Sequence, residues 1–254
     1  MTNQEILAVA LTQAAIDSSC RPEDFLRDTP VVVTSVPHPD ARRYLKLPFF
    51  LDLTSYGPNI VASCDARIAD FVRKFIDRSD VEHCFETPAL YELNAELAKY
   101  GQRIRFMAEY WLPDTDALAA AMRENVCPYP VRLLEQPDFA ALYLPEWSNA
   151  LCEGRRHLDV LGCGAYDGEK LIGLAACSAD GDTMWQIGID VLPAYRRRGI
   201  AKALVTRLAS EILARGKVPF YCCAWANVKS ARTACASGLR PAWMAMTAKP
   251  VEME

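Results

Sequence analysis

The chain has 254 residues, 51% of them apolar, and a net charge of −4. That apolar share supports a packed core and excludes a disordered chain, and the acidic balance excludes a general nucleic-acid binder. Residues 1–130 carry 13 Lys/Arg against 19 Asp/Glu, whereas residues 131–254 carry 15 against 13; a locally basic segment in an acidic chain suits a small anionic ligand.

Along the first half, Ile6, Leu7, Val9, Ala10, Leu11 and Ala14 form a helical stripe over 3–17. Pro22, Glu23 and Asp24 predict a second, short helix. Residues 30–36 and 47–56 are rich in strand formers, and Tyr56-Gly57-Pro58-Asn59 marks a turn into a strand over 60–64. Asp65 caps a helix that sets Ile68, Phe71, Val72, Phe75 and Ile76 on one face. Thr87-Pro88 opens another, which Gly101 stops. Residues 103–111 alternate as a strand, and Pro113-Asp114 opens one more helix.

Two prolines in Asn125-Val-Cys-Pro-Tyr-Pro130 forbid a regular helix and predict a domain boundary at 130/131. Beyond it the pattern predicts a strand at 131–134, a helix from Pro137 through Phe139, Leu142, Trp147 and Leu151, and a strand at 158–166. An Asp167-Gly168 hairpin turn follows, with strands at 171–178 and 185–191. A strong amphipathic helix over 199–215 ends at Gly216. A strand at 218–224, a helix at 228–237 and a strand at 243–248 complete the chain. The order β-α-βββ-α-β-α-β implies an α/β fold, a mixed sheet with helices on its faces.

Ten cysteines form no CxxC pair and no zinc-like spacing. The start Met-Thr-Asn-Gln-Glu-Ile-Leu lacks the features of a signal peptide, and no apolar run spans a bilayer. The expectation is a cytoplasmic protein with reduced, mostly buried thiols, no metal and no membrane partner.

The segment richest in chemistry is Asp190-Val-Leu-Pro-Ala-Tyr-Arg-Arg-Arg-Gly-Ile-Ala201. A strand ends near Leu192, Pro193 stops the ladder, and a tight loop feeds a helix from Gly199. The first N–H groups of a helix have no internal partner, and the helix dipole adds partial positive charge there, so a phosphate or diphosphate fits. Gly199 and Ala201 keep the backbone bare. Arg196, Arg197, Arg198 and Lys202 add full charges. Three arginines at a helix start oppose the dipole unless an anion compensates them.

This loop resembles the acyl-CoA-binding motif of the GNAT N-acetyltransferase superfamily, Q/R-x-x-G-x-G/A, with Arg196, Gly199 and Ala201 at the defining positions and Ile200 between the last two. A second match follows: Asn227 and Ser230 open a helix that closes at Gly238-Leu239, the spacing of the family's Asn and its terminal Gly-Phe. The resemblance covers about 131–250 and implies a GNAT-like, mostly antiparallel sheet flanked by helices. Residues 1–130 precede it as a smaller α/β domain, either a substrate wall or a degenerate acetyltransferase-like half.

By the same resemblance, the strand through Ile189 and Val191 splays from 218–224, and the arm of coenzyme A enters between them. Asn227 and Ser230 lie near that arm. Ile189 and Val191 pair with it, and the Val191 N–H serves as oxyanion donor. Gly188 fits a bulge at the splay. Asp190, Glu146 and Glu109 are candidate bases. Ala234 stands where many GNAT enzymes place a Tyr as general acid, which leaves Cys235, Tyr221, Tyr195 or water to supply that proton, or a step that needs no acid. Cys222 and Cys223 read as core, and Trp185 and Trp225 as pocket or sheet aromatics.

Three readings stay open: an N-acetyltransferase using acetyl-CoA and a small-molecule amine, a protein or peptide N-acetyltransferase, and a non-catalytic acyl-CoA-binding module. A homodimer is compatible with each. The loop lacks a P-loop GK[ST] ending, and no GxGxxG occurs.

Overall fold

The computed structural model describes residues 1–252. Among them are ten strands and six α-helices, mixed α/β, with most strand pairs antiparallel and helices on the faces. The helices are α1 (Asn3–Ser18), α2 (Ala69–Asp77), α3 (Ala89–Ala98), α4 (Thr115–Glu124), α5 (Ile200–Ala214) and α6 (Val228–Ala236). The strands are β1 (Val31–Thr34), β2 (Leu51–Ser55), β3 (Val61–Cys64), β4 (Gln102–Pro113), β5 (Val131–Glu135), β6 (Asp159–Asp167), β7 (Lys170–Ser178), β8 (Met184–Val191), β9 (Val218–Ala224) and β10 (Leu239–Pro250).

The chain forms two compact units, and the division differs from a boundary at 130/131. One unit holds Met1–Val9 and Trp111–Pro241; the other holds Ala10–Tyr110 and Ala242–Glu254. The cause is strand pairing. The last part of β10 pairs antiparallel with β2, Met244 against Ser55 to Thr247 against Asp52, which carries the chain's end back into the unit built from its first half.

In that unit β1 lies parallel to β3, and β3 antiparallel to β2. Val72, Phe75 and Ile76 of α2 and Leu93 and Leu97 of α3 bury against Leu51, Leu53 and Met246. Two carboxylates are buried with their own partners. Asp17 accepts from Arg42 Nε at 2.5 Å, and Asp52 accepts from the hydroxyls of Thr54 and Thr247. Burial raises the Asp52 carboxyl above its ordinary range.

In the other unit the strand order is β9-β8-β7-β6-β5. Both sheet faces are covered, which the alternation in β7 shows. Ala175 and Cys177 face α5, whose Ile200, Leu204, Val205, Leu208 and Ile212 are almost wholly buried. Leu174 and Ala176 face Phe139, Trp147 and Leu151.

Those last residues do not lie on an α-helix. The predicted helix from Pro137 is replaced by single 3-10 turns at Gln136–Phe139, Pro145–Trp147 and Glu153–Leu158. Pro145 falls inside the expected helix, where it has no N–H to donate and clashes with the carbonyl four residues back. Phe139 and Trp147 are buried nonetheless, from separate turns, and Leu151 from the segment that follows.

Asp114 caps α4. Its Oδ1 accepts from the Ala117 N–H and its Oδ2 from Arg240 Nε, both at 2.8 Å. These bonds, the backbone one first, hold its carboxyl below the ordinary 3.8. The stabilisation is therefore complete at neutral pH and is lost as pH falls through the lowered value. Asp114→Ala is expected to cost about 1 kcal/mol in urea unfolding at pH 7, and the difference from wild type should shrink at pH values below about 4.

Candidate functional site

β8 and β9 run parallel and in register from Met184 against Val218 to Ile187 against Tyr221. Past that pair β8 continues to Val191 beside β7, and β9 continues to Ala224, with no further pairing between them. A cleft of about 1090 Å³ opens in the wedge, bounded by β8, β9, the loop before α5 and one face of α6.

The β8 edge of this cleft is chemically open. Leu192 N–H donates to Ile172 O at 3.0 Å. Orientation alternates along an antiparallel ladder, and the register runs unbroken from Val191 back to Gln186. The N–H and C=O groups of Val191 and Ile189 therefore point away from β7 and into the cleft. The Val191 carbonyl accepts from Arg196 Nε at 2.9 Å.

Gly188 sits in a regular register opposite Ala176 and makes no bulge. Its lack of a side chain answers to a different constraint. A Cβ there would lie 1.9 Å from the backbone oxygen of Asn149. The neighbouring Asp190 clamps the same segment: its carboxylate accepts from Asn149 N–H (2.8 Å), Asn149 Nδ2 (2.7 Å) and Ala150 N–H (3.0 Å). Asp190 lines the cleft, but its oxygens are committed to holding the 149–150 segment on β8.

The loop into α5 gathers free helix-start N–H groups and cations at the cleft. Arg197 has φ 61° and Gly199 φ 81°, both left-handed. Arg197 carries the strain that a side chain incurs there, and Gly199 avoids it. The first helical bond of α5 is Ala203 N–H to Gly199 O, so the N–H groups of Ile200, Ala201 and Lys202 precede the ladder. Gly199 through Lys202, with Arg196 and Arg197, line the cleft. Arg198 does not. The left-handed turn at Arg197 sends it the other way, where it donates to Tyr129 Oη (2.7 Å) and Ala194 O and lies over the Tyr195 ring.

From the opposite wall, Asn227 caps α6, its Oδ1 accepting from Ser230 N–H at 3.2 Å. The Ser230 and Tyr221 hydroxyls are 2.7 Å apart. Burial pushes the Tyr221 phenol up to about 12, against a smaller opposing effect of Ser230, so it is protonated at neutral pH. Cys222 lines the cleft and accepts from Gln186 Nε2, while Cys223 donates to Asn227 O.

Other candidates fall outside the lining. Glu146 is exposed on its 3-10 turn, Cys235 is exposed on α6, and Ala234 is fully buried in the core. Tyr195 lines the cleft, but its hydroxyl donates to Asp167 Oδ2. Trp185 packs against the core and Trp225 is exposed; neither lines the cleft. Glu109 lies on β4 in the other unit. Asn149, Gln186, Lys229 and Arg232 line the cleft although no motif marks them. The α6 periodicity is the one sequence signal that groups Lys229 and Arg232 with Thr233. Among the described residues no cluster of His, Cys, Asp or Glu is arranged to hold a metal ion.

Outward-facing amide groups on one strand edge, a helix start without carboxylates and a basic surround match a ligand with a diphosphate at one end and an amide-bearing arm. Residues 120–234 match the model of the acetyltransferase (GNAT) family. No curated protein matches the chain. Similar solved structures include a GNAT-family protein from Novosphingobium aromaticivorans, 20% identical over 58% of this chain and 66% of that one, TM-score 0.42. A GCN5-related N-acetyltransferase-like protein from Streptococcus suis is 22% identical over 64% and 69%, TM-score 0.46. A Drosophila protein is 14% identical over 84% and 79%, TM-score 0.47.

Gly188→Ala forces its methyl into the Asn149 carbonyl. The expected outcome is a loss of about 1–3 kcal/mol in chemical denaturation, with faster amide exchange at Asn149 and Ala150, whose N–H groups are held by Asp190.

Proposed function

We propose that this protein transfers the acetyl group of acetyl-CoA to the primary amine of a small molecule. The observation that carries the reading is the open β8 edge leading away from the helix-start anion cradle. The cradle of Gly199–Lys202 N–H groups, with Arg196 and Arg197, holds the diphosphate. The edge groups of Ile189 and Val191 hold the amide-bearing arm. Bound acetyl-CoA supplies an activated acyl group with a thiol as leaving group.

The Val191 N–H is the oxyanion donor, an electrostatic role that costs no reorganisation because the strand already fixes it. Asp190 positions rather than deprotonates: its oxygens are taken up by three donors on Asn149 and Ala150. It is the one carboxylate among the described lining residues, so the amine's proton leaves through water at the cleft mouth. Tyr221, protonated at neutral pH and aligned by Ser230, delivers a proton to the departing thiolate.

We place the protein in the cytosol. Its ten cysteines are all free, and burial pushes thiols such as Cys163 up to about 12, far from reactive. Among the described residues no helix is long and apolar enough to cross a membrane.

Calorimetry with coenzyme A should show one site per chain, and Ala201→Glu, which places a carboxylate against the diphosphate, should abolish the heat; no heat with the unaltered protein would overturn the reading. Thiol release from acetyl-CoA across a panel of primary amines and peptide N-termini checks the acceptor class. Release with peptides alone would replace the small amine, and binding without any release would leave an acyl-CoA-binding module.

Tyr221→Phe should leave coenzyme A affinity within about tenfold, because a lost hydroxyl contact is worth on the order of 0.5–1.5 kcal/mol. The same change should raise the pH at which the bound thiol ionises, read from thiolate absorbance. An unchanged thiol titration would remove Tyr221 from the mechanism.

A further inference from the structure

The cleft is lined by five cations, Arg196, Arg197, Lys202, Lys229 and Arg232, against one carboxylate, Asp190. None of the five has a carboxylate partner among the described residues. Elsewhere in the same unit Arg132, Arg155, Arg156, Arg207, Arg215 and Arg240 are each paired with one. Asp190 does not compensate them, since its oxygens face Asn149 and Ala150.

The charges fall into two groups on different elements. Arg196, Arg197 and Lys202 belong to the loop and first turn of α5, the diphosphate cradle. Lys229 and Arg232 stand on α6. Lys229, Arg232, Thr233 and Ala236 are spaced as one helical stripe, and all four line the cleft. This stripe opposes its own helix dipole. The first turn of α6 has no acidic residue and carries a lysine where a cation is unfavourable. A diphosphate diester bears two negative charges and is served by the α5 group alone. The α6 group calls for a second anion on the same ligand.

We infer that Lys229 and Arg232 form a separate phosphomonoester subsite, and that the protein thereby selects coenzyme A carrying its 3′-phosphate over 3′-dephospho-coenzyme A. The inference rests on the proposed acyl-CoA reading. A phosphomonoester adds close to two further negative charges at neutral pH, which brings ligand and cleft near electrical balance. Thr233 adds a hydroxyl on the same stripe, itself donating to Lys229 O. Ala236 keeps the far end of the stripe low.

The test is calorimetry of the full chain with coenzyme A and with 3′-dephospho-coenzyme A. The unaltered protein should bind coenzyme A at least about tenfold more tightly, the scale of one charge-assisted hydrogen bond. In Lys229→Ala/Arg232→Ala the preference should disappear through weaker binding of coenzyme A, with dephospho-coenzyme A affinity and melting temperature unchanged. Lys229→Arg/Arg232→Lys, which keeps both charges, should retain most of the preference. Equal binding of the two ligands by the unaltered protein overturns the subsite while leaving the acyl-CoA reading intact. So does a double variant that weakens both ligands alike. Absence of binding by either ligand overturns both.

Discussion

The site exists because a parallel strand pair stops early. Backbone N–H and C=O groups inside a sheet need partners, and β8 obtains them from β9 only as far as Ile187. From Ile189 to Val191 the groups turned away from β7 face the cleft, and one of them, the Val191 carbonyl, is held by Arg196. On the proposed reading, an amide-bearing arm would complete the ladder in place of the missing strand, and the point where the pairing stops along β8 would set where the reactive end of the ligand rests.

An exposed strand edge is useful only if it is rigid, and the residues behind it supply the rigidity. Gly188 admits the Asn149 carbonyl into a space no other residue leaves open. Asp190 then fastens the same segment with three hydrogen bonds. A carboxylate beside a cleft invites assignment as a general base, but here its hydrogen-bond partners define a clamp. The open edge and the clamp alternate along one strand because backbone and side-chain directions both repeat every two residues.

α5 joins stability to binding in the same way. Its Ile200, Leu204, Leu208 and Ile212 fill the core beneath β6, β7 and β8, which fixes the direction of the helix axis. The N-terminus is consequently aimed at the cleft, with free N–H groups at its start and the left-handed residues Arg197 and Gly199 turning the chain into it. Arg197 carries its left-handed strain in the loop that turns the chain toward the cleft.

Local patterns determined a good deal by themselves. The hydrophobic period marked α1, α2, α5 and α6, Pro193 and Gly199 bounded the anion loop, and Asn227 announced the start of α6, because capping, turn formation and amphipathicity act over a few residues. Tertiary packing decided the rest. It broke the expected helix after Pro137 into separate turns and returned the end of β10 to pair with β2. It turned Arg198 onto Tyr195 and Tyr129, and Asp190 onto Asn149. It also brought Tyr221 to Ser230, and Lys229 and Arg232 to face the α5 loop. None of these pairings is readable along the chain, since each joins residues whose proximity depends on strand order and on which face a neighbouring segment covers.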